Sequence, residues 1–524
     1  MYRALLVALA IAATAMVAAY TFGPDAKTVP GKAKATTTVK ATTADAKQCV
    51  PDATKRQLRG VWIATVRNLD WPSKPGLTQA QQKAEYTKIL DSAVQRRLNA
   101  VFVQVRPASD AIYRSPYEPW SQSLTGTAGK DPGWDPLPYL IDEAHKRGLE
   151  FHAWFNPYRA ALDGNTAKLP AAHPARRHPE WVVKYGDGLY YNPGLPEVRD
   201  HVVQVVDDVV RRYNVDGIHF DDYFYPYPVQ GATFNDSAAF RKYGGGEKLA
   251  DWRRGNVDKL IAEVSKNIHS AKRWVKFGVS PFGIWRNQAE DPKGSATSGM
   301  SAYDSIYADP LAWIKSGDVD YIVPQLYWPR GFAAADYNVL VPWWAKQVKG
   351  TDVQLYIGQA LYRVGTKDTP AWTKPGELPA HLAVNRKYDE VQGDVYFSAK
   401  QLISDPLGVM DRLAAGPYKR PALLPLMPDR DAEAPAKVGG LTATGATLTW
   451  RTADDARAYA VYRVPDKDSG CAITSGRNLV AVVPSADTAR QTYTATASGT
   501  YYVTALDRLT NESAPARVTV STGH

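Results

Sequence analysis

At 524 residues, with 44% hydrophobic and 22% charged side chains, the chain has the average make-up of soluble globular proteins and room for two or three domains, which excludes wholesale disorder. Its net charge of +10 and pI near 9.2 come from dispersed residues. Lys and Arg cluster only in short pairs such as Arg176-Arg177 and Arg253-Arg254, so no nucleic-acid partner is expected, and the charge suits solubility and weak attraction to acidic wall polymers.

Arg3 precedes an apolar run from Ala4 to Ala19 that ends in small residues. A positive start, a short hydrophobic stretch and small residues after it describe a secretory signal peptide over residues 1–20. The run is shorter than the ~20 residues of a membrane span, so an uncleaved anchor is the alternative reading; once the signal is cleaved, no membrane insertion is expected. Residues 21–54 are rich in Ala, Thr, Lys and Pro and read as a flexible linker. Export would permit a disulfide between Cys49 and Cys471, though nothing in the sequence brings them together, and neither reads as a metal ligand or nucleophile.

From Arg59 onward, short apolar strand-like stretches alternate with amphipathic helical ones, the pattern of βα units around a parallel sheet. The expected strands are Gly60–Val66, Ala100–Arg106, Glu150–Asn156, Gly217–Asp221, Lys276–Ser280, Tyr321–Tyr327, Gln354–Gln359 and Asp394–Ser398. Helices are expected over Thr78–Arg97, Leu137–Lys146 with Gly148 as the stop, and Pro196–Tyr213. Eight such units predict an α/β fold, a (β/α)8 TIM barrel over residues 55–425, since such barrels need ~250 residues or more. An open doubly wound sheet is disfavoured because no Gly-rich phosphate loop follows the first strand. After Pro435 the pattern changes to alternating apolar and polar residues, with strands at Thr447–Trp450, Ala458–Arg463 and Gly499–Ala505. Residues 433–522 are read as a small all-β sandwich; Trp450 and the run ending Tyr502-Val503-Thr504-Ala505-Leu506-Asp507 resemble a fibronectin type III domain, to which no catalytic residue is assigned.

Active sites of (β/α)8 barrels lie at the C-terminal ends of the strands, and there the expected strands end in polar and aromatic residues. Side chains alternate with period two, so His219 shares a face with Asp221, Asn156 with Trp154 and His152, Gln104 with Arg106, and Gln325 with Tyr327. Burying such groups costs free energy unless each is hydrogen-bonded or functional, so five polar strand ends in succession point to a cleft. The 15 Trp and 30 Tyr fit this, because flat sugar faces pack on aromatic rings, although core packing would use them too.

The runs Arg59-Gly60-Val61-Trp62, Asp70-Trp71-Pro72, Val103-Gln104-Val105-Arg106-Pro107, Trp154-Phe155-Asn156-Pro157-Tyr158-Arg159 and Gly217-Ile218-His219-Phe220-Asp221-Asp222-Tyr223-Phe224-Tyr225-Pro226 together resemble the glycosyl-hydrolase-like family 10 proteins over most of residues 55 to 420. The resemblance implies an exported bacterial protein that cleaves peptidoglycan glycan strands lacking stem peptides. The fourth strand is also similar to the chitinase Asp-x-Asp-x-Glu ladder, but His219 stands where the first Asp would be and Tyr223 where the catalytic Glu would be.

Glycoside hydrolysis usually needs two carboxyl groups, about 5–5.5 Å apart for retention or ~6.5–9.5 Å for inversion. Asp221 is the first candidate, its alternative being an ion pair with Arg106. Asp222 is a second carboxylate or a loop anchor, on the other face unless the strand has ended. Asp110 could reach the cleft or cap a turn. For binding, Asp70 and Trp71, Arg106, Asn156, Tyr158, His219, Gln325 and Tyr327 are candidates, with Tyr223, Trp285 and Trp328 as stacking platforms. His219 could tune a neighbouring carboxylate or be a satisfied core histidine. There is no Gly-x-Ser-x-Gly elbow and no His-Glu-x-x-His helix, and only Asp221-Asp222 with His219 hints at a metal, unsupported by a second His cluster. No cofactor or metal is expected. The expected partner is a cell-wall polysaccharide, acted on outside the cell; the rival reading is a catalytically silent wall-binding protein on the same fold.

Overall fold

The computed structural model describes residues 55–464 and 472–521. The expected signal peptide, the linker, Cys49 and Cys471 lie outside the described residues. Eight parallel strands close into a barrel: β1 (Leu58–Ile63), β2 (Ala100–Arg106), β3 (Glu150–Phe155), β4 (Gly217–Phe220), β5 (Lys276–Val279), β6 (Tyr321–Ile322), β7 (Gln354–Gln359) and β8 (Val391–Tyr396). Each is neighbour to the next, and β8 closes on β1 with Leu58 opposite Gly393. All eight expected strands form, and helices Gln79–Gln95, Pro136–Lys146 and Pro196–Arg212 stand where the periodicity put them. Their starts follow local chemistry: Thr78 and Gln81 make a capping box, and Asp135 caps the second helix ahead of Pro136.

Strand ends differ from the expectation by a few residues. The sixth strand was expected to reach Tyr327 but stops at Ile322, because Pro324 has no N–H to give to the ladder; pairing resumes only as isolated bridges from Gln325 to Phe282 and Gly358. A small antiparallel sheet, Arg159–Ala161, Val182–Tyr185 and Gly188–Tyr191, extends the loop after β3 and was not anticipated.

The barrel interior is aromatic and polar. Phe102 stacks on His152 with ring centroids 4.4 Å apart, and His219 lies parallel to Tyr321. Two interior glycines make room for these rings: a Cβ at Gly217 would lie 2.3 Å from His152 Nδ1, and one at Gly278 would lie 2.2 Å from Tyr321.

Beyond the barrel, β9 (Thr442–Thr444), β10 (Thr447–Arg451), β11 (Ala458–Val464), β12 (Leu479–Pro484), β13 (Arg490–Thr494), β14 (Gly499–Leu506) and β15 (Ala516–Val520) form two antiparallel sheets, β9-β10-β13 and β12-β11-β14-β15. They enclose a core around Trp450, Tyr459 and Tyr501, a small all-β domain. It docks at the strand-start end of the barrel. Arg56 bonds to Thr510, Lys55 pairs with Glu512 at 2.5 Å, and Arg457 lies 3.8 Å from Asp216, the residue before β4. The opposite, strand-exit end is free of this domain. No helix among the described residues is long and apolar enough to cross a membrane.

Candidate active site

β4 ends at Phe220, so the chain is no longer bound to strand alternation when it reaches Asp221 and Asp222. Both carboxylates therefore sit buried at the mouth of the barrel, where the alternation rule alone would have sent them to opposite faces. Asp221 is held from three directions. Its Oδ2 accepts from Trp154 Nε1 at 3.0 Å and from Asn156 Nδ2, and its Oδ1 accepts from the Tyr223 backbone N–H at 3.1 Å. Asp222 accepts from the Tyr227 hydroxyl at Oδ2 and from Gln325 Nε2, 3.0 Å away, at Oδ1.

Every one of these donors is neutral. Burial first, and then the charge of Asp222, push the Asp221 carboxyl up to about 7. Burial raises Asp222 as well, against the hydrogen bonds from Tyr227 and Gln325. One cation, Arg159, favours ionisation of both, but it is itself engaged: it donates to Pro107 O at 2.9 Å and Asn156 Oδ1 at 2.7 Å, and its guanidinium lies 4.6 Å from the Tyr223 ring centroid. With Asp221 raised to about 7 and Asp222 raised as well, the two adjacent carboxyls resist ionising together, a property that a general acid uses.

Aromatic side chains surround the pair. Tyr223 stacks on Tyr227 at 4.8 Å, Tyr227 meets the edge of Phe282, and Tyr327 packs against Tyr362 and Phe397. Trp328 lies across Gly283, where a Cβ would come within 2.8 Å of its ring. Tyr223, Tyr227, Tyr327 and Trp328 all keep part of their surface exposed. Among the described residues no group of three or more His, Cys, Asp or Glu could hold a metal ion.

Residues 57–374 match the family described as Glycosyl hydrolase-like 10. The chain belongs to this family. It is 45% identical over 478 residues to the glycosyl hydrolase YngK of Bacillus subtilis (strain 168), covering 88% of this chain and 93% of that protein. It is 44% identical over 374 residues to the glycosyl hydrolase DigH of Escherichia coli (strain K12), covering 66% of this chain and 85% of that protein. Among solved structures, the glycoside hydrolase domain of PgaB (BpsB) from Bordetella bronchiseptica aligns with a TM-score of 0.48 and 14% identity, over 68% of this chain and 98% of that one.

In this member of the glycosyl hydrolase-like 10 family, several residues picked out from sequence do not meet the pair. Arg106 was expected beside Gln104, facing the cleft. The β2–β3 register shifts between Gln104 and Arg106, and this irregularity turns Arg106 out of the alternation into a buried pocket. There it forks onto Glu118 at 2.7 and 2.5 Å, so the ion pair weighed for Asp221 forms with Glu118 instead. His219 is fully buried below the site and bonds to Trp62 Nε1, Ser280 and Tyr321. Burial, then His152, hold it well below the usual imidazole range, so it is a neutral core histidine that does not touch either carboxylate. Trp71 is buried against Tyr86 and donates to Gln82 O at 2.9 Å. Tyr158 is a core side chain. Trp285 is buried, donating to Asp309 at 2.9 Å and packed on Trp343. Asp70 ties the loop after β1 to the loop after β8, accepting from Ala64 N, Ser398 Oγ and Lys400 N. Asp110 accepts from Ala108 N at 2.9 Å and from Ser121, closing its own turn; it lines a groove of about 360 Å3 between the loops after β1, β2 and β3.

Asn156 does reach the site, but as a bracket. Its Oδ1 accepts from Gln104 and Arg159 while its Nδ2 donates to Asp221. The sequence reading misses Trp154 and Tyr227, which donate to the pair, and Arg159, which donates to Asn156 beside it. Trp154 shares a face with Asn156, and that is its signal in the sequence; Tyr227 comes from the loop after β4 and Arg159 opens the short strand Arg159–Ala161 outside the barrel, and no periodicity reveals the path of either.

Proposed function

We propose that this protein is an exported glycoside hydrolase acting on an amino-sugar-containing, β-linked glycan, and specifically on peptidoglycan strands stripped of their stem peptides. The observation that carries the hydrolase reading is the Asp221–Asp222 pair, buried at the mouth of the barrel and held by neutral donors, with burial pushing both carboxyls up and Asp221 to about 7. A carboxyl group poised in this way protonates a leaving glycosidic oxygen, and its ionised neighbour stabilises the positive charge that develops on the sugar ring. Asp221 is the proton donor. Three of its four acceptor positions are filled, and the remaining one on Oδ1 is where a proton can sit and be given away. Tyr223, Tyr327 and Trp328 offer partly exposed rings for sugar faces, and Gln325 positions Asp222.

The cell-wall substrate rests on the motif resemblance and on the dispersed positive charge, and export rests on the signal-like N-terminus. The β-sandwich, of fibronectin type III type, acts as a spacer that leaves the cleft free, since it docks at the other end of the barrel. The test is product release from purified glycan strands, with and without stem peptides, by the wild type and by Asp221→Asn, read by mass spectrometry. Fragments from the stripped strands with the wild type alone are expected. Intact strand binding without fragments would favour a silent wall-binding protein.

A further inference from the structure

The proton donor is accounted for, but the group that attacks the sugar carbon is not. In a hydrolase with two opposed carboxyls, a second carboxylate or the water it activates stands across the ring from the acid. Here the two candidates are adjacent in sequence and leave the same strand end, so they approach a sugar from one side. Six other carboxylates around the strand-exit end have partners of their own. Asp70 holds Ser398 and Lys400 N, and Asp110 closes its own turn. Glu118 is locked to Arg106 and His201, Asp309 to Trp285, and Glu377 to Arg330. Asp394 is buried behind the barrel wall with Gln359, Asn385 and Tyr418.

Resting on the glycosidase reading above, we infer that the nucleophile is supplied by the substrate: the carbonyl oxygen of the 2-acetamido group on the sugar whose bond is cut. The free acceptor positions of Asp222 take the acetamido N–H and orient the group. Tyr327, two residues beyond the Gln325 that holds Asp222 and with no hydrogen-bond partner for its hydroxyl among the described residues, donates to the acetamido oxygen. As that oxygen bonds to C1, the glycosidic C1–O bond breaks and the Asp221 proton passes to the departing oxygen, leaving a five-membered oxazolinium ring. Water then adds to C1 from the side the leaving group vacated and gives a proton to Asp221. The ring's C1–O bond opens in the same step, restoring the acetamido group with the anomeric configuration retained. The substrate class is thereby narrowed to glycans carrying an N-acyl group at the scissile residue.

The experiment compares the full chain on stripped glycan strands that are N-acetylated, de-N-acetylated, or de-N-acetylated and then N-trifluoroacetylated, with proton NMR of the first-formed anomer. The fluorinated amide is close in size but a poor nucleophile. We expect its cleavage to be slower by about tenfold or more, the free-amine strands to be uncut, and the N-acetylated strands to yield the retained anomer. Equal rates on the two amides, or an inverted first product, would overturn the inference while leaving the hydrolase reading standing. No cleavage of N-acetylated strands would overturn the hydrolase reading itself.

Discussion

Two buried carboxylate clusters occupy the strand-exit end of this barrel, and they are built on opposite principles. Behind the barrel wall, Glu118 receives Arg106, Ser109 and His201. Burial alone would raise its carboxyl, but Arg106 and then His201 outweigh it and hold Glu118 far below the ordinary range. At the mouth, Asp221 and Asp222 are equally buried but receive only neutral donors, and Asp221 rises to about 7. A paired charge is a fixed part of the architecture, while two adjacent buried carboxyls without a full counter-ion favour keeping a proton. The two clusters touch through one segment: Arg106 donates to the carbonyls of Asn156 and Pro157, and the Asn156 side chain holds Asp221. The satisfied cluster thus braces the strained one.

The sharpest way to break this contrast is at Asp221, the proposed proton donor. Asp221→Asn should lower turnover on glycan strands by ~10^3-fold or more while the protein stays folded. It should also be the more stable form in alkali. The folded carboxyl titrates near 7 and the unfolded one near 3.9, so the folded state binds the extra proton between those values. Wild-type stability therefore falls as pH rises from about 4 to about 7, and melting above pH 7 should show Asp221→Asn ahead of the wild type.

Glu118→Gln attacks the other cluster. It leaves Arg106 buried without its counter-ion and should cost about 3–5 kcal/mol of stability in denaturant unfolding. An unchanged midpoint would show that the two clusters are not different in kind. Trp154→Phe removes one donor to ionised Asp221 and should move the alkaline limb of the activity profile to higher pH, by up to about one unit. The smallest effect is expected from Asp110→Asn. An amide oxygen can still accept from Ala108 N, so activity should stay within about twofold of wild type.

The barrel was legible because its strands and helices follow simple periods: the six-residue run at β3 and the valine stripe of Pro196–Arg212 are buried as their spacing required. Asp221 was legible for the same reason, as a charged residue at the end of an apolar strand. What was not legible depends on irregularity. The register shift beside Arg106 has no sequence signature, so alternation assigns Arg106 to the wrong face, and Glu118 lies in a loop that periodicity does not reach. The end of β4 at Phe220 decides that Asp222 joins Asp221, and a one-residue difference in strand length is beyond what alternation can resolve. Tyr227 reaches the pair from a loop and Arg159 reaches Asn156 from a strand outside the barrel, and His219, in phase with Asp221, lies one layer deeper among Trp62, Ser280 and Tyr321.

The central claim is that Asp221 and Asp222 share a proton near neutrality. Difference potentiometric titration of the wild type against Asp221→Asn between pH 3 and pH 9 measures it without any substrate. The account predicts that the wild type releases about one additional proton centred near pH 7. A difference centred near 4, the range of an ordinary aspartate, would contradict it.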